Sequence, residues 1–234
     1  AQKRLAYYSY LDKIDDLLPI EKEESKRGYK HSDYSGFNSI AILSSGLVRD
    51  FLELCKDMVY MSNPWVLHEK RERLGEIAPK IQNLVIKVHS NILYTSLHRI
   101  EGINRSENAR LLIDSMGKIF IRILQGSKSA EARTVSSIQL RNSHKLKDIA
   151  RDALEDCVKF RVLQVPFLLR APQNVGRHVP HSRYEYHRLL CPRFQLSLAL
   201  RWPRELDADD FNNIFVESEK AVEHITRYFS EGFN

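Results

Sequence analysis

The chain has 234 residues, 43% hydrophobic and 28% charged, with a formal net charge of +6. That length suits one large domain or two small ones around a real core, and the composition excludes a disordered or fibrous chain. No apolar run approaches the roughly 18–20 residues of a membrane span, so a membrane role is not expected.

Residues 1–18 read as an amphipathic helix, with Leu5, Tyr8, Leu11, Ile14, Leu17 and Leu18 near helical spacing and Pro19 as its stop. The same stretch has no apolar signal core, so export is not expected. IEKEESKRGYKHSDYSG is polar and glycine-punctuated, a surface loop. FNSIAILSS is short and apolar, ended by Gly46 as a helix C-cap. The next helix is expected from Leu47 to about Met61, with Val48, Phe51, Leu52, Cys55, Val59 and Tyr60 as its buried stripe. SNPW ends it.

The longest periodic pattern covers residues 76–100, with Ile77, Ile81, Leu84, Val85, Val88, Ile92, Leu93 and Leu97 on one face. A further helix is expected over about 106–124, with Leu112, Met116, Ile119, Phe120 and Ile123 inward and Ser106 as its N-cap. TVSSIQL (134–140) reads as a strand. SHKLKDIARDALEDCVKF (143–160) is helical again, its apolar residues Leu146, Ile149, Ala150, Ala153, Leu154, Cys157 and Val158. VLQVPFLLR and RYEYHRLL then look like two strands joined by APQNVGRHVPHS. Pro166 makes the first an edge or bent strand. The acidic stretch 207–229 forms a final helix. The expected fold class is therefore mainly α: a helical bundle followed by a unit ordered helix, strand, helix, strand, strand. That order is the order of a winged helix.

The cysteines, Cys55, Cys157 and Cys191, stand singly and odd in number. They point to reduced thiols in a cytoplasmic protein rather than to a disulfide framework.

Few patterns carry chemistry. No GxxxxGK[ST] loop is present, and QGSKS (125–129) lacks both the earlier glycine and the strand–loop–helix context. RLLIDSMG (110–117) resembles a magnesium-binding hhhhD strand at a glance, but it fits a helix as well and the residue after Asp114 is Ser115. His178, His181, His187 and Cys191 are the densest set of N/S ligands, at a spacing that matches no common structural zinc pattern. No metal is expected there. Ser44, Ser45 and the cysteines lack nucleophile-elbow context, so no catalytic residue is assigned.

The stronger signal is charge. Residues 159–204 hold nine Lys/Arg against the single acid Glu185, while residues 205–234 hold eight Asp/Glu against Lys220 and Arg227. A field divided this way concerns partners. Arg170, Arg177, His181, Arg183, Arg188 and Arg193 lie in or beside the expected hairpin, interleaved with Tyr184, Tyr186 and Phe194. They are the candidate phosphate-contacting residues for duplex DNA. The alternative is a solvated basic face that pairs with the acidic tail, within the chain or in a neighbour.

One arginine stands apart. SSGLVRDFLELC (44–55) places Arg49 in the first turn of a helix, the end of the dipole that favours anions. The longer stretch YSGFNSIAILSSGLVRDFLELCKDMV (34–59) resembles the helical lid of prokaryotic AAA+ P-loop ATPases of the origin-recognition and initiator-loader type. In that family the lid helix opens with the sensor-2 arginine, aimed at the terminal phosphate of the nucleotide, and Arg49 matches that position in SGLVR. The family's lid is followed by a winged-helix domain, and RYEYHRLLCPRFQLSL looks like its wing and closing strand.

The resemblance implies residues 1–100 as the lid-type bundle, 101–206 as the winged-helix-like domain and 207–234 as an acidic C-terminal helix. The Walker A, Walker B and sensor-1 elements are not among these residues. ATP with magnesium is therefore expected only together with an ATPase core, and no cofactor with this chain alone. The expectation is a non-catalytic region that senses nucleotide through Arg49 and contacts duplex DNA through the winged helix. The runner-up is an interaction and oligomerisation module of a signalling P-loop ATPase, for example in bacterial antiphage defence, whose partners are other subunits or an effector protein.

Overall fold

The computed structural model describes residues 34–62, 76–126, 137–165, 183–196, 198 and 203–231. The amphipathic segment 1–18, the polar loop that follows it, and Arg170, Arg177, His178 and His181 lie outside the described residues. The chain divides into two compact units between Ile92 and Leu93.

The first unit is helical. Helix α1 spans Phe37–Leu43 behind Gly36, whose φ of 92° suits a residue without a β-carbon. Ser44 is its C-cap, and the turn closes through Ser45 (φ 53°) and Gly46 (φ 77°), two left-handed residues in succession. The glycine expected to cap this helix thus completes the turn two residues on, in the manner of left-handed helix endings. Helix α2 spans Val48–Ser62. Helix α3 spans Pro79–Thr95 and opens on a proline, where the missing N–H has no intrahelical partner to lose. Side chains of α3 hold the entry to α1: Asn83 Oδ1 accepts from the Tyr34 N–H at 2.8 Å and Gln82 Oε1 from the Gly36 N–H at 2.7 Å. His89 Nε2 meets Asp57 Oδ2 of α2 at 2.8 Å.

The stripe expected on α2 is corrected. Asp50, Leu54 and Met58 are the buried residues, at i, i+4 and i+8. Val48 and Leu52 are 71% and 58% exposed, while Phe51, Cys55, Val59 and Tyr60 are half-buried. The apolar arc of this helix is wider than one covered face, so packing selects part of it and leaves the rest in solvent. On α3, Val85, Ile86 and Val88 are buried, but Ile92 is exposed.

In the second unit, a 3₁₀ turn (Ser96–Arg99) precedes helix α4, Ile103–Gly126. This helix starts before the expected boundary, since the Gly102 carbonyl already accepts from the Ser106 N–H at 3.1 Å. Ser106 is therefore no cap. It is buried, and its hydroxyl donates to the Leu97 carbonyl at 2.9 Å. The inward set Leu112, Met116, Ile119, Phe120 and Ile123 is buried as its spacing predicts. RLLIDSMG lies within α4, and Asp114 accepts the Tyr94 hydroxyl at 2.7 Å.

Strand β1 (Ser137–Arg141) leads through a 3₁₀ turn (Ser143–Lys145) into helix α5, Asp148–Lys159. Strands β2 (Leu163–Gln164), β3 (Arg183–Tyr186) and β4 (Arg204–Asp207) follow, then helices α6 (Ala208–Asn213) and α7 (Ser218–Glu231). The sheet order is β2-β3-β1-β4. β3 runs antiparallel to both β1 and β2, with Ile138 opposite Tyr184 and Leu163 opposite Tyr186, whereas β4 pairs parallel to β1. Helix, strand, helix, then a β2–β3 pair whose second strand rejoins β1, make a winged-helix-like α+β unit.

Three boundaries differ from expectation. The segment 143–160 divides into a 3₁₀ turn and α5. The second wing strand stops at Tyr186, because His187 turns the chain into a 3₁₀ turn (Arg188–Leu190). The acidic end is a strand and two helices rather than one helix. Asp207 ends β4 and caps α6 by accepting from the Asp209 N–H at 3.0 Å. Buried Asn212 then ties α6 to the approach to α5: its Oδ1 accepts from the Lys147 N–H at 3.0 Å and its Nδ2 donates to the Lys145 carbonyl at 3.1 Å. A four-residue edge strand, RELD, with charges at three positions has no alternation to announce it.

The core of this unit gathers around aromatic rings. Tyr186 lies 5.3 Å from Phe120 and 5.6 Å from Phe194, centroid to centroid, and its hydroxyl donates to the Ile113 carbonyl of α4.

Candidate functional site

The helix that carries Arg49 begins directly after the left-handed Ser45–Gly46 turn, with the Leu47 carbonyl accepting from the Phe51 N–H at 3.1 Å. Arg49 is exposed in the first turn of α2, and among the described residues it makes no ion pair or side-chain hydrogen bond. A cation there sits against the positive end of the helix dipole, a cost of about 0.3–1 kcal/mol in the absence of an anion.

On the winged-helix-like unit, alternation along β3 turns Tyr184 and Tyr186 into the core and Arg183 and Glu185 to the other side. Arg183 Nη2 donates to Glu185 Oε1 at 2.6 Å, and both side chains are largely covered. Arg188 lies half-buried in the 3₁₀ turn that follows. Arg193 is folded over an aromatic ring, its guanidinium carbon 3.6 Å from the centroid of Tyr94, in a cation–π arrangement. The Tyr94 phenol is pushed up, first by burial and then by the Asp114 carboxylate it donates to. The sequence-derived cation set is therefore not a row of equivalent open groups. Arg183 and Arg193 are held by neighbours, while Arg170, Arg177 and His181 lie outside the described residues.

The four-ligand cluster is likewise dispersed in role. His187 is fully buried and its Nδ1 accepts from the Leu189 N–H at 3.2 Å. The Cys191 thiol is pushed up to about 12 by burial. His178 lies outside the described residues with His181, and among the described residues no three His, Cys, Asp or Glu converge on a metal position.

Acidic groups line one face of α5 and recur in the C-terminal stretch. In α5, Ala150, Ala153, Leu154 and Cys157 face inward, and Asp148, Asp152 and Glu155 are exposed at i, i+4 and i+7. Asp156 is buried instead. It takes two parallel hydrogen bonds from Arg105 of α4, from Nε and Nη2, each 2.9 Å. The acidic tail is engaged within its own unit. Glu205 meets Arg141 at 3.5 Å, Asp209 meets Lys145 at 3.9 Å, and Glu219 meets Lys118 at 2.5 Å and Arg122 at 3.8 Å. Hydrogen bonding from Lys118 lowers the Glu219 carboxyl, and the Asp209 N–H lowers that of Asp207.

The Arg105–Asp156 pair and the Tyr94–Arg193 stack escaped sequence reasoning. Their partners are far apart along the chain, and no local period connects them.

No helix among the described residues is long and apolar enough to cross a membrane. Comparison with curated proteins and with solved structures returns no match. The family model described as ORC-CDC6-like matches residues 2–224, across both units. The helices around Arg49 and the winged-helix-like sheet both fall within that match, and the chain belongs to the ORC-CDC6-like family, related to the AAA+ ATPases of the origin-recognition and CDC6 type.

Proposed function

We propose that this chain is a nucleotide-responsive, DNA-contacting region of an initiator-type AAA+ ATPase and performs no hydrolysis itself. Arg49 would meet the terminal phosphate of an ATP–magnesium complex held by a P-loop core, and the anion would convert its unfavourable helix position into a favourable one. The winged-helix-like unit would contact duplex DNA through Arg170, Arg177, His181, Arg183, Arg188 and Arg193, of which Arg183 also pairs with Glu185 and Arg193 also stacks on Tyr94.

The observation that carries the DNA reading is the place of the acidic tail. Glu205, Asp209 and Glu219 are engaged by Arg141, Lys145 and Lys118, so the tail has partners on β1, the turn after it and α4. It is not needed as a cover for the wing. The test is anisotropy of a labelled duplex titrated with the chain from low to moderate salt, beside an Arg170/Arg177/Arg188→Ala variant. Steep salt dependence that the variant flattens is expected; absence of binding at low salt would sink the reading. In the native ATPase assembly, Arg49→Ala is expected to slow ATP turnover by about tenfold or more while DNA affinity is unchanged.

A second reading has its own support. Val48 and Leu52, one turn apart on α2, and Phe37 on α1 are exposed apolar side chains, and a protein contact is one way to cover them. On that reading the chain joins subunits or an effector of a signalling ATPase. Self-association weakened by Val48→Ser and Leu52→Ser, without DNA binding, would favour it.

A further inference from the structure

We infer that residues 1–18 dock along the uncovered side of α2 and set Asp15 beside Arg49, so that the arginine has a carboxylate to pair with wherever no nucleotide phosphate reaches it. The nucleotide clause rests on the reading of Arg49 above; the docking does not.

Val48, Leu52, Cys55 and Val59 follow one another at i, i+4, i+7 and i+11 along α2, the first two exposed and the last two half-buried. That is the spacing of a seam that takes a second helix. Its two borders differ. Arg49 and Lys56, exposed at i and i+7, stand along one side, with Glu53 farther round the helix. Phe51 stands along the other, with the Phe37 ring of α1 5.7 Å from its own.

Residues 1–18 lie outside the described residues, but their sequence repeats the pattern. Tyr7, Leu11, Ile14 and Leu18 fall at the same intervals, bordered by Asp15 on one side and by Tyr10 and Leu17 on the other. At about 100° per residue, Asp12, Lys13 and Asp16 fall away from the seam. Antiparallel pairing puts Leu18 against Val48 and Tyr7 against Val59. It also brings Asp15 to Arg49 and the apolar border to Phe51, whereas parallel pairing would set Tyr10 and Leu17 against the cations.

The tether favours the same occupant. The chain enters the described structure at Tyr34, whose N–H is held by Asn83, three residues before Phe37. Residues 19–33 span up to about 50 Å when extended, against roughly 22 Å for the length of α2, and such a linker gives an effective concentration on the order of millimolar. So short a seam exchanges between docked and released, and it contributes little to global unfolding.

The test uses the whole chain without nucleotide. Leu11→Cys places a thiol opposite Cys55, while Cys157 and Cys191 are buried and do not compete. Under mild oxidation with diamide, a disulfide between positions 11 and 55 of one molecule is expected, mapped by peptide mass. Lys13→Cys, on the far side, should form its bond at least about fivefold more slowly. Asp15→Arg should slow bond formation in Leu11→Cys by about two- to fivefold, and Arg49→Glu added to it should restore the rate. Unchanged thermal unfolding verifies that the variants fold. Equal rates from positions 11 and 13, or no rescue by Arg49→Glu, would overturn the inference. So would a disulfide between molecules, which gives the seam to a second copy. Those outcomes leave the nucleotide reading of Arg49 standing, since ATP turnover of Arg49→Ala in the native assembly tests it separately. An unchanged turnover there would remove the nucleotide clause and leave the docking.

Discussion

The ring of Phe194 lies against the backbone of Gly117 in α4, so close that a β-carbon built on Gly117 would stand 2.4 Å from ring atoms Cδ1 and Cε1. Helix propensity alone favours Ala over Gly inside a helix by about 1 kcal/mol. Here the ring cannot yield cheaply, because it is packed 5.6 Å from the Tyr186 ring in the buried core. Gly117→Ala is therefore expected to destabilise the second unit, by about 1–3 kcal/mol as an overpacked core does, read as a lowered urea midpoint. A raised midpoint would show that propensity wins and that Phe194 moves aside.

The Arg105–Asp156 pair joins α4 to α5 through a carboxylate that is buried and a guanidinium that is half in solvent. Arg105→Ala strands the buried acid, and a lowered midpoint is expected in denaturant unfolding. Replacing both, as Arg105→Leu/Asp156→Leu, is expected to recover part of that loss. A double variant less stable than the single one would show that the pair contributes more than the removal of its own desolvation cost.

On α2, neighbouring leucines should behave oppositely. Leu54 is fully buried and Leu52 is more than half exposed. Leu54→Ala is expected to cost about 2–5 kcal/mol, whereas Leu52→Ser should stay within about 0.5 kcal/mol of wild type by the same unfolding measurement. Equal losses at the two positions would return the buried face to the stripe that apolar spacing alone predicts.

Alkaline pH should unfold the second unit early. Burial raises the thiols of Cys157 and Cys191 above their ordinary value of 9.0, Cys191 to about 12, and raises the phenols of Tyr184 and Tyr186 above 10.0. These groups stay protonated in the folded chain while the unfolded chain releases its protons, so their contribution is complete below about pH 9 and is lost as pH rises from there. The urea midpoint is expected to fall between about pH 9 and about pH 12, less steeply in Cys157→Ala/Cys191→Ala. The same burial predicts that Cys55, half-buried, reacts with a thiol reagent before the other two.

Most helices were legible because their evidence is local. The inward face of α4 and the apolar residues of α5 repeat at helical spacing, and that spacing survives whatever the helix meets. The order helix, strand, helix, strand, strand was legible for the same reason, and the charge split between residues 159–204 and 205–234 needs only a count. Of the candidate site, the place of Arg49 in the first turn of a helix was legible, because the Ser-Gly turn before it and the apolar period after it are local.

The periodic segments, their order and the places where charge concentrates are each carried by residues within a few turns of one another, so they can be read without the fold. Tertiary structure alone decided which part of the wide apolar arc on α2 is covered and that RELD adds a parallel edge strand to β1. It decided also that Arg193 stacks on Tyr94, that Arg105 claims Asp156, and that the acidic tail turns to Arg141, Lys145 and Lys118. Each of those choices is made between groups distant along the chain. Charge and polarity name many acceptable partners for each, and packing admits one.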